Sequence, residues 1–136
     1  MPRITIHSDG AARGNPGPAG AGAILRDEKG SVLAELFEYL GEMTNNQAEY
    51  SALIMALSEA KRLGATDLAI YADSELMVRQ IKGEYKVKNE GLKPLFGEAV
   101  KALRTIKHYT IEHLPREKNK EADKLANRAI DEKYDL

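Results

Sequence analysis

A chain of 136 residues, 43% hydrophobic and 30% charged, can bury one core and stay soluble, so it reads as a single domain over 1–136. It has no cysteine, which excludes disulfides, thiolate metal sites and thiol nucleophiles and fits a reducing cytoplasm. Its net charge of −1, from 20 basic and 21 acidic residues, does not mark a dedicated nucleic-acid binder, although metal-holding acids would also count as negative here.

The N-terminus MPRITIHSDG has no basic segment leading into an apolar run, so no signal peptide is expected. No apolar run approaches the roughly 20 residues of a membrane helix. Residues 3–8 alternate and are β-branched, which predicts a strand ending at Asp9-Gly10. Residues 10–20 are dense in Gly and Pro and read as an irregular loop. Residues 21–26 and 31–40 predict two more strands joined by a turn at 27–30, giving an antiparallel meander.

The period then changes. Thr44 reads as an N-cap with Gln47 three residues on, a capping-box spacing, and residues 45–63 form a helix closed by Gly64. Residues 67–72 are a short apolar run ending at Asp73, expected as a buried strand. Ser74 caps a short helix to about Ile81, and 82–91 is a polar loop. A helix near 92–106 takes Pro94 in its first turn. Residues 108–114 are a fifth strand, the PREKN segment a loop, and 119–132 a final helix with Ala122, Leu125, Ala126, Ala129 and Ile130 as its apolar stripe. The order βββαβααβα makes the later pairings parallel. The expected fold is α/β, a mixed five-stranded sheet with three antiparallel strands, then two parallel, and helices on both faces.

Four acids sit against this pattern. Asp9 and Asp73 end strands that should be central, where open α/β sheets bind ligands. Glu49 shares one helix side with Leu53, Ala56, Leu57 and Ala60, and Asp123 lies in line with Ala126 and Ile130. Singly, each is an ordinary turn residue, cap or solvated helix acid. Together, at one sheet edge, they form an oxygen-only ligand set for hard cations such as Mg²⁺ or Mn²⁺. Two such ions ~3.5–4 Å apart can activate a water and stabilise the leaving oxygen in phosphodiester hydrolysis.

The residues that carry a family likeness are Ser8-Asp9-Gly10 through Gly20, Thr44-Asn45-Asn46-Gln47-Ala48-Glu49, Tyr71-Ala72-Asp73-Ser74 and Asn119-Lys120-Glu121-Ala122-Asp123-Lys124-Leu125-Ala126. On these four motifs, in order and at fitting spacings, the chain resembles type 1 ribonuclease H over essentially its whole length. The resemblance implies the ribonuclease H-like fold. It also implies an endoribonuclease that cuts the RNA strand of RNA/DNA hybrids by a two-metal-ion mechanism, leaving 5′-phosphate and 3′-hydroxyl ends. Asp9, Glu49, Asp73 and Asp123 map onto the catalytic carboxylates that hold two Mg²⁺, with Mn²⁺ as substitute. Asn15, Asn45 and Gln47 map onto contacts to the RNA strand and its 2′-hydroxyls, the groups that distinguish RNA from DNA. Thr44 maps onto a grip on a DNA-strand phosphate. Gly10, Ser74, Asn119 and Arg116 complete the expected substrate contacts.

The chain departs from well-known members in three places. Its His113 belongs to the fifth strand, whereas a helper histidine should follow Pro115, where Arg116-Glu117 stand instead. There is no tryptophan-rich basic protrusion. Lys82, Lys86 and Lys88 with Tyr85 are either a reduced DNA-binding surface or a solvated loop. Glu75 replaces the glutamine that some relatives carry. The closest likeness is to the compact archaeal and bacterial branch without an appended hybrid-binding domain. Some of that branch also cut double-stranded RNA, so substrate breadth stays open. A monomer is the default. The alternatives are a catalytically silent nucleic-acid-binding domain of this fold, which would have little reason to keep all four acids, and a small-metabolite phosphatase or sugar-kinase fragment. The chain is too short for a two-lobed kinase and has no P-loop.

Overall fold

Alternation builds β1 (Arg3–Ala12), where Ile4 and Ile6 turn into the core between half-exposed neighbours. The structure, a computed structural model, describes residues 3–134. β2 (Gly17–Arg26) and β3 (Val32–Met43) pair antiparallel with β1 and with each other in the expected meander. After α1 (Asn45–Arg62), β4 (Asp67–Ala72) returns parallel to β1. Two helices, α2 (Glu75–Ile81) and α3 (Lys93–Arg104), lead to β5 (His108–His113), which lies parallel to β4. A single 3₁₀ turn, Arg116–Lys118, precedes α4 (Lys120–Tyr134).

The sheet order is β3-β2-β1-β4-β5, so the expected three antiparallel and two parallel strands are present. The two parallel crossovers are the ones that contain helices, since a parallel return needs a connection of about a dozen residues or more. α1 covers one face with α3 stacked on it, and α4 covers the other. The core on the α1 side joins Ile4, Ile6, Leu25, Leu53, Leu57 and Ile70. Tyr50 of α1 packs edge-to-face on Phe96 of α3 and donates its hydroxyl to Gln80 Oε1 of α2 at 2.6 Å. Among the described residues no helix is long and apolar enough to cross a membrane.

The glycine-rich stretch corrects the reading made from sequence. Residues 10–20 are not one irregular loop, because β1 runs on to Ala12 and β2 begins at Gly17. Asp9 therefore lies inside β1 rather than at its end. Pairing continues to Ala12↔Ala19, and Arg13 N–H donates to the Pro18 carbonyl at 2.8 Å. Only Gly14 in this stretch takes a positive φ, 106°. Gly10 is glycine because a Cβ there would overlap the backbone of Ala48 and Glu49, and at Gly22 it would overlap that of Ala122 and Ala126. These glycines admit helices, not turns. The remaining boundaries shift by one to three residues.

Candidate active site

The central parallel pair sets the site. Ser8 of β1 lies beside Ala72 of β4, so the next residues, Asp9, still paired with Gly22 of β2, and Asp73, just past β4, stand side by side. Glu49 arrives from the other direction. The capping box forms as expected, with the Thr44 hydroxyl accepting from Gln47 N–H at 3.2 Å and Gln47 Oε1 accepting from Thr44 N–H at 2.9 Å. It starts α1 where its second turn presses on Gly10. The Gly10 N–H then donates to Glu49 Oε1 at 3.2 Å. One ligand atom each from Asp9, Glu49 and Asp73 lies within 4.8 Å of the others.

Asp9 and Glu49 are each only 4% exposed. Among the described residues, none of the three acids has an ion-pair partner within 4.0 Å. Desolvation, then the neighbouring charges of Glu49 and Asp73, pushes the Asp9 carboxyl up to about 11. Glu49 rises to about 8, mainly through burial and the charge of Asp73, despite the Gly10 hydrogen bond. Buried like charges without a counter-charge must take up protons or a cation. The donors are all oxygens, which suits Mg²⁺ or Mn²⁺.

Asp123 stands outside the tight trio but lines the same cleft, about 300 Å³ in volume. Its side chain is 32% exposed, and Arg116 Nη2 lies 3.9 Å from its Oδ1. The Arg116 side chain is 80% exposed. Asn119 is 2% exposed, so its amide sits behind the acids. Its Nδ2 donates to the Ser8 carbonyl at 2.9 Å and reaches Asp73 Oδ2 at 3.4 Å. The structure thus gives Asn119 a hold on Asp73 and on the middle of β1.

Of the other expected substrate contacts, Gly10 lines the cleft too. Asn15 Oδ1 accepts from the Asn45 N–H at 3.0 Å, tying the β1–β2 turn to the start of α1. Asn45 and Ser74 line the cleft, and Ser74 also caps α2 through Met77 N–H. Gln47 Nε2 reaches the Gly91 carbonyl at 3.4 Å. His113 lies outside the cleft, at a hollow with Glu75, Arg79 and Lys82. Glu75 is held by Arg79 at 2.9 Å and Lys82 by Glu112 at 3.2 Å. Two polar cleft residues escaped the sequence reading, Arg13 and Asn127. The available signal was Asn127 one helical turn after Asp123. A larger hollow of about 480 Å³ between β3, α1 and α3 has walls such as Leu36, Ile54 and Leu95 and holds none of these acids.

A sheet of order β3-β2-β1-β4-β5, helices on both faces and acids within β1 and just past β4 define the ribonuclease H-like class of fold. A family model described as reverse transcriptase-like matches residues 7–129. The chain is 43% identical to a bifunctional protein of Mycobacterium tuberculosis over 95% of its own length and 36% of that protein's. It is 40% identical to ribonuclease HI of Halobacterium salinarum, covering 96% of this chain and 65% of that one. It therefore spans about a third to two thirds of these relatives. The crystal structure of that halophile's RNase H1 superposes with a TM-score of 0.93 over 96% of this chain and 98% of the solved one. LC11-RNase H1, solved in complex with an RNA/DNA hybrid, is 46% identical with a TM-score of 0.91, covering 96% of this chain and 98% of that one. The chain belongs to the type 1 ribonuclease H family.

Proposed function

We propose that this chain is an endoribonuclease that hydrolyses the RNA strand of RNA/DNA hybrids, with two divalent cations held by Asp9, Glu49, Asp73 and Asp123. The cations are Mg²⁺, with Mn²⁺ as substitute, and the products carry 5′-phosphate and 3′-hydroxyl ends. The observation that carries this reading is the trio of Asp9, Glu49 and Asp73, within 4.8 Å and without a base. The 46% identity to a ribonuclease solved with a hybrid supports the substrate. Retention of all four acids disfavours a silent binding domain.

When bound, two such ions lower the barrier to phosphodiester hydrolysis by activating water and stabilising the leaving oxygen. The protein's share is to hold the acids still. Gly10 N–H fixes Glu49, and Asn119 fixes Asp73. Thr44 has a hydroxyl proton left after its oxygen caps α1, so it can cap and donate to a DNA-strand phosphate at once. Asn15, tied to Asn45 at the start of α1, and Gln47 would read 2′-hydroxyls, Gln47 giving up its long contact to Gly91. Arg116 supplies an exposed positive charge for phosphate. Lys86 and Lys88 are exposed and have no ion-pair partner among the described residues, so they are the free members of the basic stretch. A cytoplasmic monomer completes the proposal.

The test is cleavage of an end-labelled hybrid beside duplex RNA and duplex DNA, with Mg²⁺ or Mn²⁺. Cleavage of the hybrid's RNA strand to 5′-phosphorylated products supports the reading. A preparation inert with both metals ends it. The duplex-RNA lane decides breadth.

A further inference from the structure

We propose that Asn127, braced by Arg13, is a positioning residue that orients the Asp123 carboxylate for cation binding. This rests on the reading of the cleft as a divalent-cation site. Asp123 is more exposed than the buried Asp9 and Glu49 and is the acid outside the tight trio. It comes from α4, while the others come from β1, α1 and the end of β4. Left to itself, a half-exposed aspartate on a helix samples several rotamers.

Asn127 lies one turn further along the same helix. Its Nδ2 donates to the Asp123 carbonyl at 3.0 Å and to Asp123 Oδ1 at 3.3 Å. Its Oδ1 accepts from Arg13 Nη2 at 3.2 Å. The same Arg13 nitrogen reaches Asp131 Oδ1 at 2.7 Å and the Asn127 carbonyl at 3.5 Å. Arg13 comes from the turn between β1 and β2, so one guanidinium spans two turns of α4.

The order of these groups has a chemical consequence. A guanidinium only donates, whereas an amide has one accepting and one donating end. Arg13 therefore sets the amide with its oxygen outward and its NH₂ on Asp123. Asp123 Oδ1 is held by a neutral donor at 3.3 Å, with the Arg116 guanidinium at a longer 3.9 Å. Among the described residues no nitrogen donor is paired with its other oxygen. A direct Arg13–Asp123 pair would have neutralised the ligand instead. Groups that orient ligands in this way typically contribute 10–100-fold to metal affinity or activity.

The experiment measures Mn²⁺ binding to the whole protein without nucleic acid, by the paramagnetic resonance of free Mn²⁺. Wild type is compared with Asn127→Ala, Asn127→Asp, Arg13→Gln and the Arg13→Gln/Asn127→Ala double variant, with melting temperatures alongside. Asn127→Ala is expected to weaken binding by roughly tenfold, and Asn127→Asp by at least as much, because it sets acceptor against acceptor. Arg13→Gln should weaken it less. The double variant should match Asn127→Ala alone, since both act through one contact. The Mg²⁺ concentration that half-saturates hybrid cleavage should rise by a similar factor.

Wild-type Mn²⁺ affinity in Asn127→Ala overturns the inference, as do fully additive losses or a change confined to melting temperature. If wild type does not bind Mn²⁺, or Asp9→Asn binds it normally, the cation-site reading falls and takes this inference with it. If Asp9→Asn is defective and Asn127→Ala is not, only this inference falls.

Discussion

At the scale of single residues, Asp9 and Glu49 are carboxylates that the fold holds out of water against their own electrostatics. Only a charge that arrives later can make this arrangement useful. Replacing Asp9 or Asp73 with Asn keeps the shape and removes the charge. Cleavage rates should fall more than about a hundredfold, beyond the loss typical of groups one layer out. Asp123→Asn should cost less than either, because Asp123 is the outlying, half-exposed acid. Steady-state kinetics on a labelled hybrid compares the three. Arg116→Ala should lower kcat/KM by up to about tenfold, as loss of one phosphate contact does, and the deficit should shrink at high salt. His113→Ala, at a different hollow, should leave both constants near wild type. A large His113 effect would mean that β5 reaches the substrate.

The four acids were legible because each sits in a local motif, Asp9 within a strand, Asp73 just past one and the other two on helix stripes. Asn119 was not legible as a support. Its main partner is the Ser8 carbonyl, 111 positions away, and only the folded sheet brings them together. Arg13 was lost for the same reason, since Asn127 is 114 positions distant.

At the scale of elements, local chemistry was read well where it is local. The capping box at Thr44, the Ser74 cap and the apolar run 67–72 all formed where spacing placed them. The glycine segment was misread because a glycine needed for a turn and one needed for close packing look alike in sequence. Gly10 and Gly22 are of the second kind, each facing helix backbone. Gly22→Ala should therefore cost roughly 1–3 kcal/mol, or more if α4 cannot shift. Urea unfolding monitored by circular dichroism should show it, and an unchanged midpoint would contradict the packing described. Gly10→Ala should also push α1 and Glu49 outward, so it should lose activity beyond its loss of stability.

At the scale of the whole molecule, fold and site are linked through the buried protons. Without a cation, Asp9 and Glu49 have folded-state values of about 11 and about 8. Ordinary carboxyls titrate near ~4. Both are raised, so the stability they contribute is complete below pH ~4 and is lost as pH rises toward those values. In EDTA the protein should melt lower at pH 9 than at pH 6. On the proposed reading Mg²⁺ would bind only the folded site, so at ten times its dissociation constant it should stabilise by about 1.4 kcal/mol. That corresponds to a few degrees in melting temperature. The gain should be larger at pH 9 than at pH 6, because fewer protons compete. Differential scanning calorimetry at the two pH values checks both signs.

The most direct measurement is cleavage of a hybrid labelled on its RNA strand, with wild type, Asp9→Asn and Asp73→Asn run side by side in Mg²⁺, in Mn²⁺ and in EDTA. The expected result is RNA-strand cleavage by wild type in either metal, none in EDTA, and loss of more than about a hundredfold in both variants. Wild type inert in both metals, or Asp73→Asn as active as wild type, would contradict the assignment of these acids as the catalytic metal site.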